Sequence, residues 1–117
     1  MATVTFIKYK SQSAGTLQDV ARYVVQDCKT SEQRLVSGQN CSPQFAAQEF
    51  LATRRMHRKD SPIYFYHYVQ SFHPEEPITG ELAHQVAKEF AERAWPDSEV
   101  LIATHIDADH IHSHFLA

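Results

Sequence analysis

Two apolar runs near the C-terminus, Val100-Leu-Ile-Ala-Thr104 and Ile111 to Ala117, are separated by only six residues. Both read as strands. A parallel pair needs a crossover connection of about a dozen residues or more, so these two strands must pair antiparallel. This excludes a wholly parallel, doubly wound sheet.

The rest of the chain alternates strands and helices. Thr3 to Tyr9 alternates and is rich in β-formers, so it predicts a strand. Ser11 to Gly15 predicts a loop. Thr16 then caps a helix to about Gln26, with Leu17, Val20, Ala21, Val24 and Val25 as its apolar stripe. Residues 27 to 41 are polar and predict loop, with a short strand at Arg34 to Ser37. Ser42-Pro43 is an N-cap followed by proline at the first helical position, which predicts a helix to about Lys59. Ile63 to Phe72 is dense in aromatics and predicts a strand. Thr79 opens a third helix whose apolar positions are Leu82, Ala83, Val86, Ala87, Phe90, Ala91 and Ala94. The expected fold is α+β, with helices packed on a mostly antiparallel sheet.

The chain has 117 residues, 43% of them hydrophobic, enough for one compact domain with a real core. No apolar run is long enough to span a bilayer, and the N-terminus lacks a secretory pattern. A cytoplasmic location with free thiols at Cys28 and Cys41 is the expectation. Net charge is −3 with histidine neutral, which argues mildly against a nucleic-acid binder. The charge is uneven, however. Arg54, Arg55, Arg58 and Lys59 crowd one stretch, whereas the acidic residues concentrate from Glu75 to Glu99. A locally basic surface on an acidic chain fits this distribution, and so does a solvated helix end with cations at its C-terminal dipole.

Histidine is the unusual residue. Of eight, four fall in His105-Ile-Asp-Ala-Asp-His-Ile-His-Ser-His114. Strand alternation puts His112 and His114 on one face, about 7 Å apart along the backbone. Two imidazoles on one face can grip one divalent cation, and His105, ending the preceding strand, can supply a third. Three neutral imidazoles leave coordination positions open, as a catalytic metal needs. Asp107 and Asp109 can orient ring N–H groups. A second register, His110-Ile-His112 with His105 or an aspartate, satisfies the spacing equally. Imidazole-rich sites suit Zn, Mn, Fe, Ni and Cu alike.

On the first helix Tyr23 lies about 130° from the centre of the apolar stripe. It should stay out of the core. A phenolate can form a covalent phosphoester, which makes an off-core tyrosine a candidate nucleophile; an ordinary half-exposed tyrosine explains the position as well. Tyr64, Tyr66 and Tyr68 line one strand face, where they can pack a helix or stack on bases.

These residues make the sequence resemble the MobA/VirD2-like relaxases (mobilisation nucleases) of the HUH endonuclease superfamily, of the type carried by conjugative elements of Gram-positive bacteria. Three blocks carry the resemblance. Ala21-Arg-Tyr-Val-Val-Gln-Asp-Cys-Lys-Thr30 is similar to the family's first motif, Tyr66-His-Tyr-Val-Gln-Ser-Phe72 to its second, and His105-x-Asp-x-Asp-His-x-His-x-His114 to its metal motif. Ser113 departs from the pattern, since the superfamily expects a hydrophobic residue between the two final histidines. Domains of this family continue well beyond the metal strand, so residues 1–117 are expected to be the N-terminal portion of a single relaxase catalytic domain.

The resemblance implies a ferredoxin- or RRM-like core. It implies Tyr23 as nucleophile, His105, His112 and His114 as metal ligands, and Asp107 as partner of a metal histidine. His110 lies next to the site, and His67 and Ser71 share a strand face that approaches it. The implied cation is Mg²⁺ or Mn²⁺, with Zn²⁺ or Ni²⁺ as substitutes in a crystal. The implied reaction is nicking and rejoining of single-stranded DNA at a transfer origin through a tyrosyl 5′-phosphate, with Asp107 or His110 as base. Arg22, Lys29, Arg54, Arg55 and Arg58 are candidates for phosphate contacts. Accessory relaxosome proteins and a coupling protein are the implied partners. A metal-dependent phosphoesterase needs the same histidines but not Tyr23. A non-catalytic metal-containing DNA-binding module predicts a closed four-ligand shell instead.

Overall fold

The structure, a computed structural model, describes residues 3–26, 35–57, 61–73, 75–106 and 110–117. The elements are β1 (Thr3–Ile7), α1 (Ala14–Val24), β2 (Val36–Gln39), a 3-10 turn (Pro43–Phe45), α2 (Ala46–Met56), β3 (His67–Ser71), α3 (Gly80–Ala94), β4 (Val100–His105) and β5 (His112–Leu116). The strands form one sheet in the order β1-β3-β5-β4-β2. Every neighbouring pair is antiparallel, including the closely spaced β4 and β5. The fold is therefore α+β, as the strand spacing required.

The helices cover both faces of the sheet. Leu17 and Val24 of α1 and Ala46, Ala47 and Phe50 of α2 pack on Leu101, Ala103 and Leu116. Alternation sends Val100, Ile102 and Phe115 to the other face, where Ala87 and Ala91 of α3 cover them. Each strand of the central pair is thus buried on both sides, which explains its near-continuous apolar sequence. Among the described residues no helix is long and apolar enough to cross a membrane.

Local chemistry shifts several expected boundaries. Helix α1 begins earlier than expected, because Ser13 is its N-cap. The Ser13 side chain accepts from the Thr16 backbone N–H while Thr16 answers the Ser13 N–H, so Thr16 is the inner half of a capping box. The second helix opens as a 3-10 turn behind Ser42-Pro43 and becomes α-helical only at Ala46. The short strand near residue 34 runs over Val36–Gln39 instead. It ends at Asn40, which has a φ of 57° and whose amide holds the Pro96 and Ser98 carbonyls.

Strand β3 is shorter than the aromatic run suggested. Residues 63 to 65 leave the ladder: Gln12 accepts from the Tyr64 and Phe65 N–H groups and donates to the Phe65 carbonyl. Tyr64 consequently departs from the face it was expected to share with Tyr66 and Tyr68. It packs toward the α1–α2 core, with the Arg54 guanidinium 3.8 Å from its ring centroid. Tyr68 and Phe6 remain on the α3 side of the sheet, 5.2 Å apart between centroids. In α3 the inward residues are Ala83, His84, Ala87 and Ala91, while Leu82 is exposed. The buried stripe is rotated by one position, so that a histidine enters it.

That histidine explains the unexpected Ser113. A hydrogen-bonded row runs under α3 from Ser37 Oγ to His84 Nε2 (2.6 Å), from His84 Nδ1 to Thr104 Oγ1 (2.9 Å) and on to Ser113 Oγ (2.8 Å). Thr104 and Ser113 are fully buried. Ser113 stands where a hydrophobic residue was expected because its hydroxyl has a partner on the neighbouring strand.

Candidate metal centre and nucleophile

Strand pairing brings the histidines together. His105, the last residue of β4, lies opposite His112, the first of β5. Two residues on, His114 shares the same face. The ring centroids are 5.0 Å apart for His105–His112, 4.3 Å for His105–His114 and 5.0 Å for His112–His114. Each ring offers one nitrogen, and these three nitrogens lie within 4.8 Å of one another. Ligand bonds to imidazole are about 2.0–2.1 Å long, so small side-chain adjustments close such a set on one ion. The donor set fits a divalent metal, and three ligands leave room for substrate oxygens.

Hydrogen bonds to the outer ring atoms orient this set. His105 Nε2 donates to the Val24 carbonyl at 2.8 Å. A carbonyl only accepts, so the proton sits on Nε2 and Nδ1 carries the lone pair. The acceptor belongs to the last turn of α1, where the helix dipole is negative. His112 Nδ1 reaches the His110 carbonyl at 3.4 Å. His114 Nδ1 faces His67 Nε2 at 2.7 Å, and His67 Nδ1 in turn faces the Tyr9 hydroxyl at 2.8 Å. Burial pushes the His67 imidazole down to about 4, with His105 as the lesser cause, so the ring is neutral at neutral pH. Burial also raises the Tyr9 hydroxyl, keeping it a phenol.

Helix α1 sets a phenol over this group. Tyr23 is 46% exposed, off the core as its helical phase required. Its ring stands edge-on to two of the histidines, 5.9 Å from His105 and 6.3 Å from His114 between centroids. Val24, the very next residue, holds His105.

The other candidate residues are distributed as follows. His110 has its ring 5.5 Å from that of His112, but the cluster of converging nitrogens among the described residues is His105, His112 and His114. His67 is 5% exposed and touches the site directly through His114. Ser71 lies opposite His112 on β3, at the rim. Arg22 is on the exposed side of α1, 3.5 Å from Asp19. Arg54 donates to the Ile63 and Ser61 carbonyls, bracing the segment before β3. Arg55 lies in the last turn of α2. Asp107, Lys29 and Arg58 fall outside the described residues, as do Cys28 and Asp109. Cys41 is a free thiol that donates to the Val100 carbonyl, and burial pushes it up to about 11.

Tyr9 and His84 were not distinguished by sequence. Tyr9 meets His67 across 58 positions, so no local spacing announces the pair.

Comparison with known proteins identifies the family. Residues 23–117 match the family described as "Relaxase: MobA/VirD2-like, nuclease domain". The chain belongs to this relaxase family. The match begins at Tyr23 and runs through all three converging histidines. Among curated relaxase relatives, a "Protein rlx" of Staphylococcus aureus is 33% identical over 102 residues, covering 87% of this chain and 31% of the relative. Another Staphylococcus aureus "Protein rlx" is 38% identical over 80 residues, covering 68% of this chain and 24% of that protein. The "Group II intron-interrupted relaxase LtrB" of Lactococcus lactis subsp. cremoris is 27% identical over 126 residues, covering 86% of this chain and 22% of LtrB. The relaxase chain therefore spans less than a third of the length of these relatives. No solved structure matches it.

Proposed function

We propose that this relaxase nuclease domain nicks and rejoins single-stranded DNA at a transfer origin by tyrosine transesterification, with His105, His112 and His114 as metal ligands and Tyr23 as nucleophile. The observation that carries the reading is the position of the Tyr23 ring beside His105 and His114. A phosphodiester lodged between phenol and histidines would have the attacking oxygen on one side and its charge-stabilising group on the other.

A divalent cation, Mg²⁺ or Mn²⁺, held by the three imidazoles would neutralise the non-bridging phosphate oxygens and align the ester. Tyr23 Oη attacks phosphorus, and its proton passes to a nearby base, for which His110 and Asp107 are the candidates. The bond from phosphorus to the 3′-oxygen breaks, and that oxygen leaves as a hydroxyl on taking up a proton. The products are a tyrosyl 5′-phosphate and a free 3′ end. Phosphoester bonds are conserved in number, so the same step in reverse rejoins strands. Arg22, Lys29, Arg54, Arg55 and Arg58 are the cations proposed to meet the DNA backbone, and Ser71 borders the metal centre.

The test is a labelled single-stranded origin oligonucleotide incubated with protein and Mn²⁺, then run on a denaturing gel. Wild type is expected to yield a covalent protein–DNA band. Tyr23→Phe should abolish the band while Mn²⁺ binding stays unchanged. An adduct that persists in Tyr23→Phe sinks the assignment, and free cleaved product without any adduct would favour hydrolysis by metal-bound water.

A further inference from the structure

The row from His114 through His67 to Tyr9 has no role in the mechanism above, yet its two histidines are buried and Tyr9 is half-buried at its end. We propose that His67 is a positioning residue for the metal centre: its Nε2 accepts the His114 Nδ1 proton and its Nδ1–H donates to Tyr9 Oη, which fixes His114 with Nε2 presented to the cation. The inference rests on the reading of His105, His112 and His114 as metal ligands.

The direction of the row follows from the number of protons available. His114 Nδ1 is engaged by His67 at 2.7 Å, so ligation falls to Nε2, which must then carry a lone pair. A neutral ring with its lone pair on Nε2 has its proton on Nδ1. His67 Nε2 must accept that proton, which leaves the His67 proton on Nδ1. There the Tyr9 hydroxyl lies at 2.8 Å and can accept it. Each of the four ring nitrogens has a single role, and no extra charge is needed. Strand pairing supplies the geometry. His67 sits at the start of β3 opposite Leu116 of β5, and the Tyr9 ring stacks on His67 with an interplanar angle of 21°.

The choice of histidine rather than carboxylate has an electrostatic consequence. A carboxylate on a metal histidine orients the ring and also brings a negative charge into the site. His67 orients the ring as a neutral group, so it adds no negative charge of its own beside the cation.

The experiment uses the full 117-residue chain. Long-range ¹H–¹⁵N NMR of the metal-free wild type reads the histidine tautomers directly, without reference to metal or DNA. His114 is expected as the Nδ1–H form and His67 likewise. His114 found as the Nε2–H form overturns the proposal. Mn²⁺ titration by calorimetry then compares His67→Gln, whose amide can accept from His114 and donate to Tyr9, with His67→Leu, which can do neither. Leu is expected to weaken Mn²⁺ binding by about 10- to 100-fold and Gln by only a few-fold. Equal affinities for wild type and Leu, or equal losses for Gln and Leu in folded proteins, refute it. If wild type binds no Mn²⁺, the metal reading itself fails, and the tautomer measurement still decides whether His67 orients His114.

Discussion

Acidification should destabilise this protein through a residue remote from its reactive face. His84 is 7% exposed, with the Ser37 hydroxyl at Nε2 and the Thr104 hydroxyl at Nδ1. Burial, and secondarily Lys88, lowers its pKa from 6.5 to about 4. In the unfolded chain the ring protonates near 6.5, whereas in the folded protein it resists until about 4. Between those values the unfolded state holds more protons, so stability falls as pH falls. The full depression corresponds to about 3 kcal/mol, of which about 2–3 kcal/mol is lost by pH 4.5 and almost none at pH 7. Urea unfolding followed by circular dichroism, at pH 7 and pH 4.5, measures the loss in wild type and in His84→Gln. His67 is depressed in the same direction, so wild type carries both contributions. The difference between the two proteins isolates His84: the variant should lose about 2–3 kcal/mol less than wild type on going to pH 4.5. The same acid loss in both would show that His84 is not held neutral by its surroundings.

Saturating Mn²⁺ at a hundred times its dissociation constant should stabilise the fold by about 2.7 kcal/mol, raising Tm by roughly 10 °C, and EDTA or His112→Ala should abolish the rise. Gly38→Ala would place a methyl 2.2 Å from the Cys41 carbonyl oxygen. The backbone after β2 must move, and differential scanning calorimetry should find a loss of about 1–3 kcal/mol. Leu17→Ala, at a side chain 1% exposed between α1 and the sheet, should cost about 2–5 kcal/mol in urea unfolding.

Much of the fold was legible because its strongest signals are local. Six residues between two apolar runs decide the β4–β5 pairing, and alternation along β5 puts His112 and His114 on one face. Helical phase set Tyr23 outside the core for the same reason. What escaped were relations between distant segments. The aromatic run before β3 has the composition of a strand throughout. Its first residues leave the ladder because Gln12, some fifty positions away, takes their N–H groups. His84 looked like one more polar residue on a helix, since its partners Ser37 and Thr104 come from two separate strands. Tyr9 was absorbed into a strand that stops at Ile7.

The end of α1 performs two tasks with consecutive residues: one sends a phenol toward the histidines, and the next clamps the outer nitrogen of one of them. Sliding the helix along its axis would change the reach of the Tyr23 hydroxyl, the proposed nucleophile, and the tilt of the His105 ring together. The alignment that the proposed reaction needs is thereby tied to the seating of a whole helix. On the proposed mechanism, substitutions at its far end, around Leu17, should register in strand-transfer rates before they register in any loss of binding.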